Sequence, residues 1–219
     1  MLCNSKDESF IELRFDQHSL KFFTDVLIKQ GFIGDPLTGL LVWDGLYAMM
    51  RHGTQGMTPD RFLKAVISAL EVNQPDAVFS SSLQRGAECI YTYCPIKFRD
   101  AYKKQLFNIL KKFLLLTDPA NGNKCLLIRR HIISFAQSVE DIKFLVSWFE
   151  GKEESYPAES LTVDDKWSIV NLVFACKYPE FEGSREALFD LVKAIDPEPA
   201  RNNRKFCDAT LCNTASKLD

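Results

Sequence analysis

The sequence predicts an all-α protein, and three observations carry that expectation. Apolar residues recur at helical spacing in successive segments. Those segments begin at recognisable starts, near Pro36, Thr58, Pro75, Pro95, Asn121, Ser138, Asp164 and Ser184, each a residue type suited to a helix N-terminus or its first turn. The starts fall about twenty residues apart, so a helix pair recurs at roughly forty, the period of HEAT or armadillo arrays. Self-similarity between pairs is weak, and the expected architecture is an irregular superhelix of antiparallel helix pairs with one short strand near the N-terminus. The expected organisation is an entry segment over residues 1–18 holding that strand, followed by a helical-repeat domain over residues 19–219.

In chain order, Ile11, Leu13 and Phe15 alternate with Glu12 and Arg14, the period of a half-buried strand. Ser19 reads as the cap of a helix through Phe22, Phe23, Val26 and Leu27. The stretch at residues 36–70 reads as a helical hairpin: Pro36 suits a first turn, Gly53 and Gly56 end the first helix, and Thr58 with Pro59 and Asp60 opens the second. Trp43 is in register with Leu40, Tyr47 and Met50, and Phe62 with Val66 and Leu70, which makes Trp43 the expected core anchor.

Pro75 opens the next helix, with Val78, Phe79, Leu83, Ala87 and Ile90 apolar. Pro95 ends it and starts another, whose expected buried stripe is Phe98, Tyr102, Leu106, Ile109 and Phe113. After a turn at residues 118–123 comes a helix with Leu126, Leu127, Ile133 and Phe135. Ser138 with Asp141 has the form of a capping box and opens a helix through Ile142, Leu145 and Phe149. Residues 152–160 read as a surface loop. Asp164 and Asp165 start a helix with Trp167, Val170 and Phe174, and Ser184 is expected to cap one with Leu188, Leu191 and Ile195. Residues 201–219 hold few large apolar side chains and no cap, and the domain is expected to be truncated there.

Composition limits the function classes. The chain has 219 residues, 46% hydrophobic and 26% charged, with a formal net charge of -2, near globular averages and without global attraction to nucleic acid or acidic membranes. No apolar run reaches the ~20 residues of a bilayer span. Seven cysteines are scattered without a C-x-x-C pair, which reads as reduced thiols in a cytoplasmic protein.

Several stretches resemble one family. L-L-V-W-D-G-L-Y-A-M-M-R-H-G at residues 40–53, followed by M-T-P-D-R-F at 57–62, resembles the start of the C-terminal helical domain of aminopeptidase N-type zinc metallopeptidases. L-C-N at 2–4 with L-R-F-D-Q-H-S-L at 13–20 resembles that domain's entry, with Cys3 at the family's usual proline. D-K-W-S-I-V at 165–170 resembles its R-W-x-I-V helix, with Lys166 for arginine, and Asp196-Pro197 with Arg204 resembles its recurrent Asp-Pro and downstream Arg. These are packing signatures. The resemblance implies a non-catalytic domain that shapes and covers the substrate cavity of an enzyme removing N-terminal residues from peptides. Its partners would be the catalytic domain of the same polypeptide, which would carry the zinc, and the peptide substrate; neither nucleic acid nor membrane is expected. The alternative, from a different class, is a free-standing helical-repeat interaction module.

No catalytic, cofactor-binding or metal-ligating residue can be assigned. Zinc aminopeptidases use H-E-x-x-H, two histidines one helical turn apart beside a general-base Glu, and that motif is missing. The three histidines, His18, His52 and His131, are isolated. Cys125 and His131 are six residues apart, on different azimuths of one helix, which disfavours direct thiol activation within the helix and leaves a partner from another helix open. Lys97, Arg99, Lys103, Lys104, Lys111 and Lys112 read as a solvated helix face opposite the Phe98, Tyr102, Leu106, Ile109 and Phe113 stripe. A phosphate-tracking stripe is a weaker reading. A third is that they join Arg129 and Arg130 on a surface attracting peptide carboxylates.

Overall fold

The structure is a computed structural model that describes residues 12–30, 35–72, 74–117, 122–153 and 160–210. Among these residues the regular structure is helical: α1 (Gln17–Gln30), α2 (Pro36–His52), α3 (Pro59–Leu70), α4 (Asp76–Glu88), α5 (Ile96–Leu116), α6 (Gly122–Phe135), α7 (Val139–Phe149), α8 (Val163–Ala175), α9 (Arg185–Ile195) and α10 (Ala200–Thr210). The chain divides into two compact units, Met1–Ile109 and Leu110–Asp219.

In the first unit the helix boundaries follow local chemistry. Asp35 caps α2 by accepting the Thr38 N–H. Gly53 ends that helix in the left-handed region at φ 64 and returns its N–H to Met49 and Met50 carbonyls, the conformation that glycine adopts without Cβ strain. Thr58 caps α3 through the Arg61 N–H, with Pro59 next. Helices then pack on their second neighbours: α1 lies on α3 and α2 on α4, with α3 also against α4. Trp43 and Phe62 are both fully buried, their rings edge to face at 5.9 Å, so Trp43 is the core residue its register predicts. A π turn, Cys89–Tyr93, follows α4.

The second unit is gathered on α8, which contacts α6, α7, α9 and α10. Ser138 and Asp141 form the expected capping box on α7, and Thr162 with Asp165 forms a second on α8. Arg185, in the first turn of α9, reaches back to donate to the Val173 and Cys176 carbonyls, closing the C-terminus of α8 with a cation at the negative end of its dipole.

Several expectations are corrected. The strand at residues 11–15 is not present among the described residues; Ile11 lies outside them. Leu13 and Phe15 are buried while Glu12 and Arg14 are exposed, so the alternation is real, but it lies against a helix. The Phe15 N–H meets the Met49 sulfur at 3.2 Å, and the Phe15 ring packs on Phe23. A helix has its backbone groups already paired, so it offers no ladder for a strand to join. Asp16, not Ser19, caps α1, accepting the Ser19 N–H at 2.8 Å. Ser184 makes no side-chain cap to α9; its hydroxyl donates to the Phe181 carbonyl within a 3-10 turn, Pro179–Ser184. Phe98 is 50% exposed: helical register fixes its azimuth but leaves half of the side chain open to solvent. Finally, α10 lies within the expected helical domain at residues where the sequence marks no individual helix. Its buried residues are two small ones about two turns apart, Ala200 and Cys207, too little apolar signal to mark a helix from periodicity.

Candidate functional site

The titratable residues singled out in the sequence are dispersed. His18 is exposed. His52 lies 3.3 Å from Glu12 at the surface, within a cluster that includes Arg14 and Arg51. His131 stacks on Phe135 in α6, the ring centroids 5.7 Å apart, and burial, with the Arg130 charge secondary, pushes its pKa down to about 4. Cys125 is buried on the same helix; six residues of α-helix separate the two by about 9 Å along the axis. No group of three or more His, Cys, Asp or Glu suited to a metal ion occurs among the described residues.

The thiols are placed as small hydrophobes. Cys89, Cys94, Cys176 and Cys207 lie outside any disulfide. Burial pushes Cys89 up to about 12 and Cys207 up to about 11, far from the thiolate that nucleophilic or redox chemistry requires at neutral pH. Cys207 faces the Asn171 side chain at 3.2 Å, a contact between α10 and α8. Cys3 and Cys212 lie outside the described residues.

The basic residues divide into two kinds. Arg129 is internal: its Nε donates to Asp165 Oδ2 at 2.9 Å, and both side chains are nearly buried. The same oxygen accepts the Thr162 N–H, so one carboxylate closes a capping box and neutralises a guanidinium from another helix. Arg129 is therefore not available to a ligand's carboxylate. Lysines of α5 lie over aromatic rings: Lys97 on Phe98, Lys103 on Tyr91, Lys104 on Phe107 and Lys111 on Phe144.

Three residues singled out in the sequence, Trp167, Asp196 and Arg204, lie near one another. The Trp167 indole N–H donates to Asp196 Oδ2 at 3.1 Å across 29 residues of sequence. Arg204 binds Glu186 and Asp208, its guanidinium 5.3 Å from the Phe189 ring centroid and 5.8 Å from that of Phe174. Phe189 in turn meets Trp167 edge to face at 5.4 Å. Trp167, Asp196 and Arg204 thus belong to one aromatic and ionic knot joining α8, α9 and α10. The Arg129–Asp165 tie has no local sequence signature, because its partners are 36 residues apart. The T-x-x-D pattern at residues 162–165 marks only the capping box that Asp165 also closes.

These features define a class no narrower than an all-helical protein with a helical core and structural polar ties. Compared with models of known protein families and with curated proteins, the sequence matches none. No helix among the described residues is long and apolar enough to cross a membrane.

Proposed function

We propose that the chain is a HEAT-like, non-catalytic helical domain of an aminopeptidase N-type zinc exopeptidase, cytoplasmic, that shapes and covers the cavity in which peptides lose their N-terminal residues. The zinc and general base belong, on this reading, to another domain of the same polypeptide. The observation that carries it is the contact between two of the resembling segments, the Trp167 hydrogen bond to Asp196. A packing signature implies contact between its residues, and this hydrogen bond supports the reading. The stacking of second neighbours, α1 on α3, α2 on α4, α6 on α8 and α8 on α10, supports the HEAT-like part, since stacked helix pairs place like helices in one layer.

The test has two arms. Reading the complete coding sequence should reveal H-E-x-x-H upstream in the same frame; a complete frame lacking it overturns the proposal in favour of a free-standing interaction module. The purified chain should hydrolyse no aminoacyl-amide and should lose any zinc to mild chelation. Turnover abolished by substituting a residue of this chain would overturn the non-catalytic role.

A further inference from the structure

The start of α5 combines bulky apolar exposure with positive charge. Ile96 is 79% exposed, Phe98 50%, and Tyr91, in the π turn just before the helix, 42%. Cations surround them. Lys97 Nζ stands 4.8 Å from the Phe98 ring centroid and Lys103 Nζ 4.8 Å from that of Tyr91. Arg99 donates its Nε to the Cys94 carbonyl at 2.8 Å, which ties the preceding turn to the helix start. Residues 96–104 hold four basic residues and one acidic residue, Asp100, and the N-terminus of α5 adds the positive end of a helix dipole.

We propose that this tip docks on the surface of an anionic phospholipid bilayer, with Ile96 and Phe98 entering the interface and Lys97, Arg99 and Lys103 meeting lipid phosphates. Charge complementarity argues for an anionic occupant. The exposure of Ile96 argues for a surface: a side chain so open has no groove wall beside it to hold a peptide, whereas a bilayer interface takes up bulky apolar groups without one. Lysines that lie over exposed rings keep their charge at the level of those rings, where headgroups would meet both. The chain's net charge of -2 does not oppose this, because screening confines the interaction to charges within about 8–10 Å of the surface. The inference is independent of the proposed parent enzyme.

The experiment is co-sedimentation of the full chain with vesicles of phosphatidylcholine alone and of phosphatidylcholine with phosphatidylserine. Binding is expected only to the phosphatidylserine vesicles and should fall as salt rises. Lys97→Glu with Lys103→Glu, and separately Ile96→Ser with Phe98→Ser, should each lower partitioning more than about tenfold. Circular dichroism and the urea midpoint should stay at wild-type values, since Ile96 and Phe98 are exposed. Absence of binding, equal binding to both vesicles, or wild-type binding by either double variant would overturn the proposal. So would capture by polyglutamate but not by vesicles, which would make the occupant an acidic protein.

Discussion

His131 is a histidine that burial keeps neutral. Its pKa is lowered to about 4, against an unfolded value of about 6.5. As pH falls below the unfolded value, the unfolded chain takes up a proton that the folded chain refuses until about pH 4, so stability drops across that window and is unaffected above it. The expected loss is about 2 kcal/mol at about pH 5. Urea titrations of wild type and His131→Phe at about pH 8 and about pH 5 would show it: the variant should lose less stability on acidification, and parallel losses would refute the assignment. Gly45 makes a different point at the same scale. A helix interior ordinarily gains about 1 kcal/mol from Gly→Ala, yet a Cβ here would stand 2.8 Å from the Phe15 ring. Gly45→Ala should therefore destabilise, by about 1–3 kcal/mol. In a Phe15→Ala background the sign should reverse. If Gly45→Ala is stabilising in both backgrounds, the entry segment does not lie on α2 as described.

Between elements, the α2–α3 hairpin and the α6–α8 tie rest on opposite physics. Trp43 joins its hairpin by apolar contact with Phe62, so Trp43→Ala should cost about 3–5 kcal/mol and Trp43→Phe much less. A denaturant midpoint for Trp43→Ala no lower than that of a surface variant would deny the residue its anchoring role. Arg129 and Asp165 join α6 to α8 by charge in a nearly dry setting. Removing the cation strands a buried carboxylate, so Arg129→Met should cost about 3–5 kcal/mol, and distinctly less once Asp165→Asn has removed the charge. Equal costs in the two backgrounds would mean that the pair contributes no coupling. The caps at Thr58 and Ser138 were legible because capping is local and each acts within three residues. The sequence places the start of α8 at Asp164 and Asp165, whereas its cap is Thr162. The Arg129–Asp165 tie was not legible, since no short window contains both partners.

For the molecule as a whole, the far-ultraviolet circular dichroism of the purified chain should be dominated by helix; a substantial sheet signal would contradict the fold. Within each unit the second-neighbour stacking leaves some helix faces uncovered. Leu191 and Ile195 on α9 are 53% and 56% exposed, and Phe206 on α10 is 54% exposed. All three had the spacing or size of core residues. Periodicity reports which side of a helix is apolar, and only packing reports whether anything covers it.

The sequence by itself determined that the chain is helical, where most helices begin and end, and that Trp43 and Phe62 face inward, because these follow from φ preferences, caps and a 3.6-residue period acting over a few residues. It also carried the motifs on which the functional proposal rests. Tertiary structure decided the rest. It turned the alternation at residues 12–15 into a segment laid on a helix, since no strand edge stands beside it among the described residues. It took Arg129 out of any candidate binding surface by burying it against Asp165, and left Phe98 in solvent although its register matched the core. In each case the deciding contact comes from residues tens of positions away, or fails to come, and local periodicity carries no information about it.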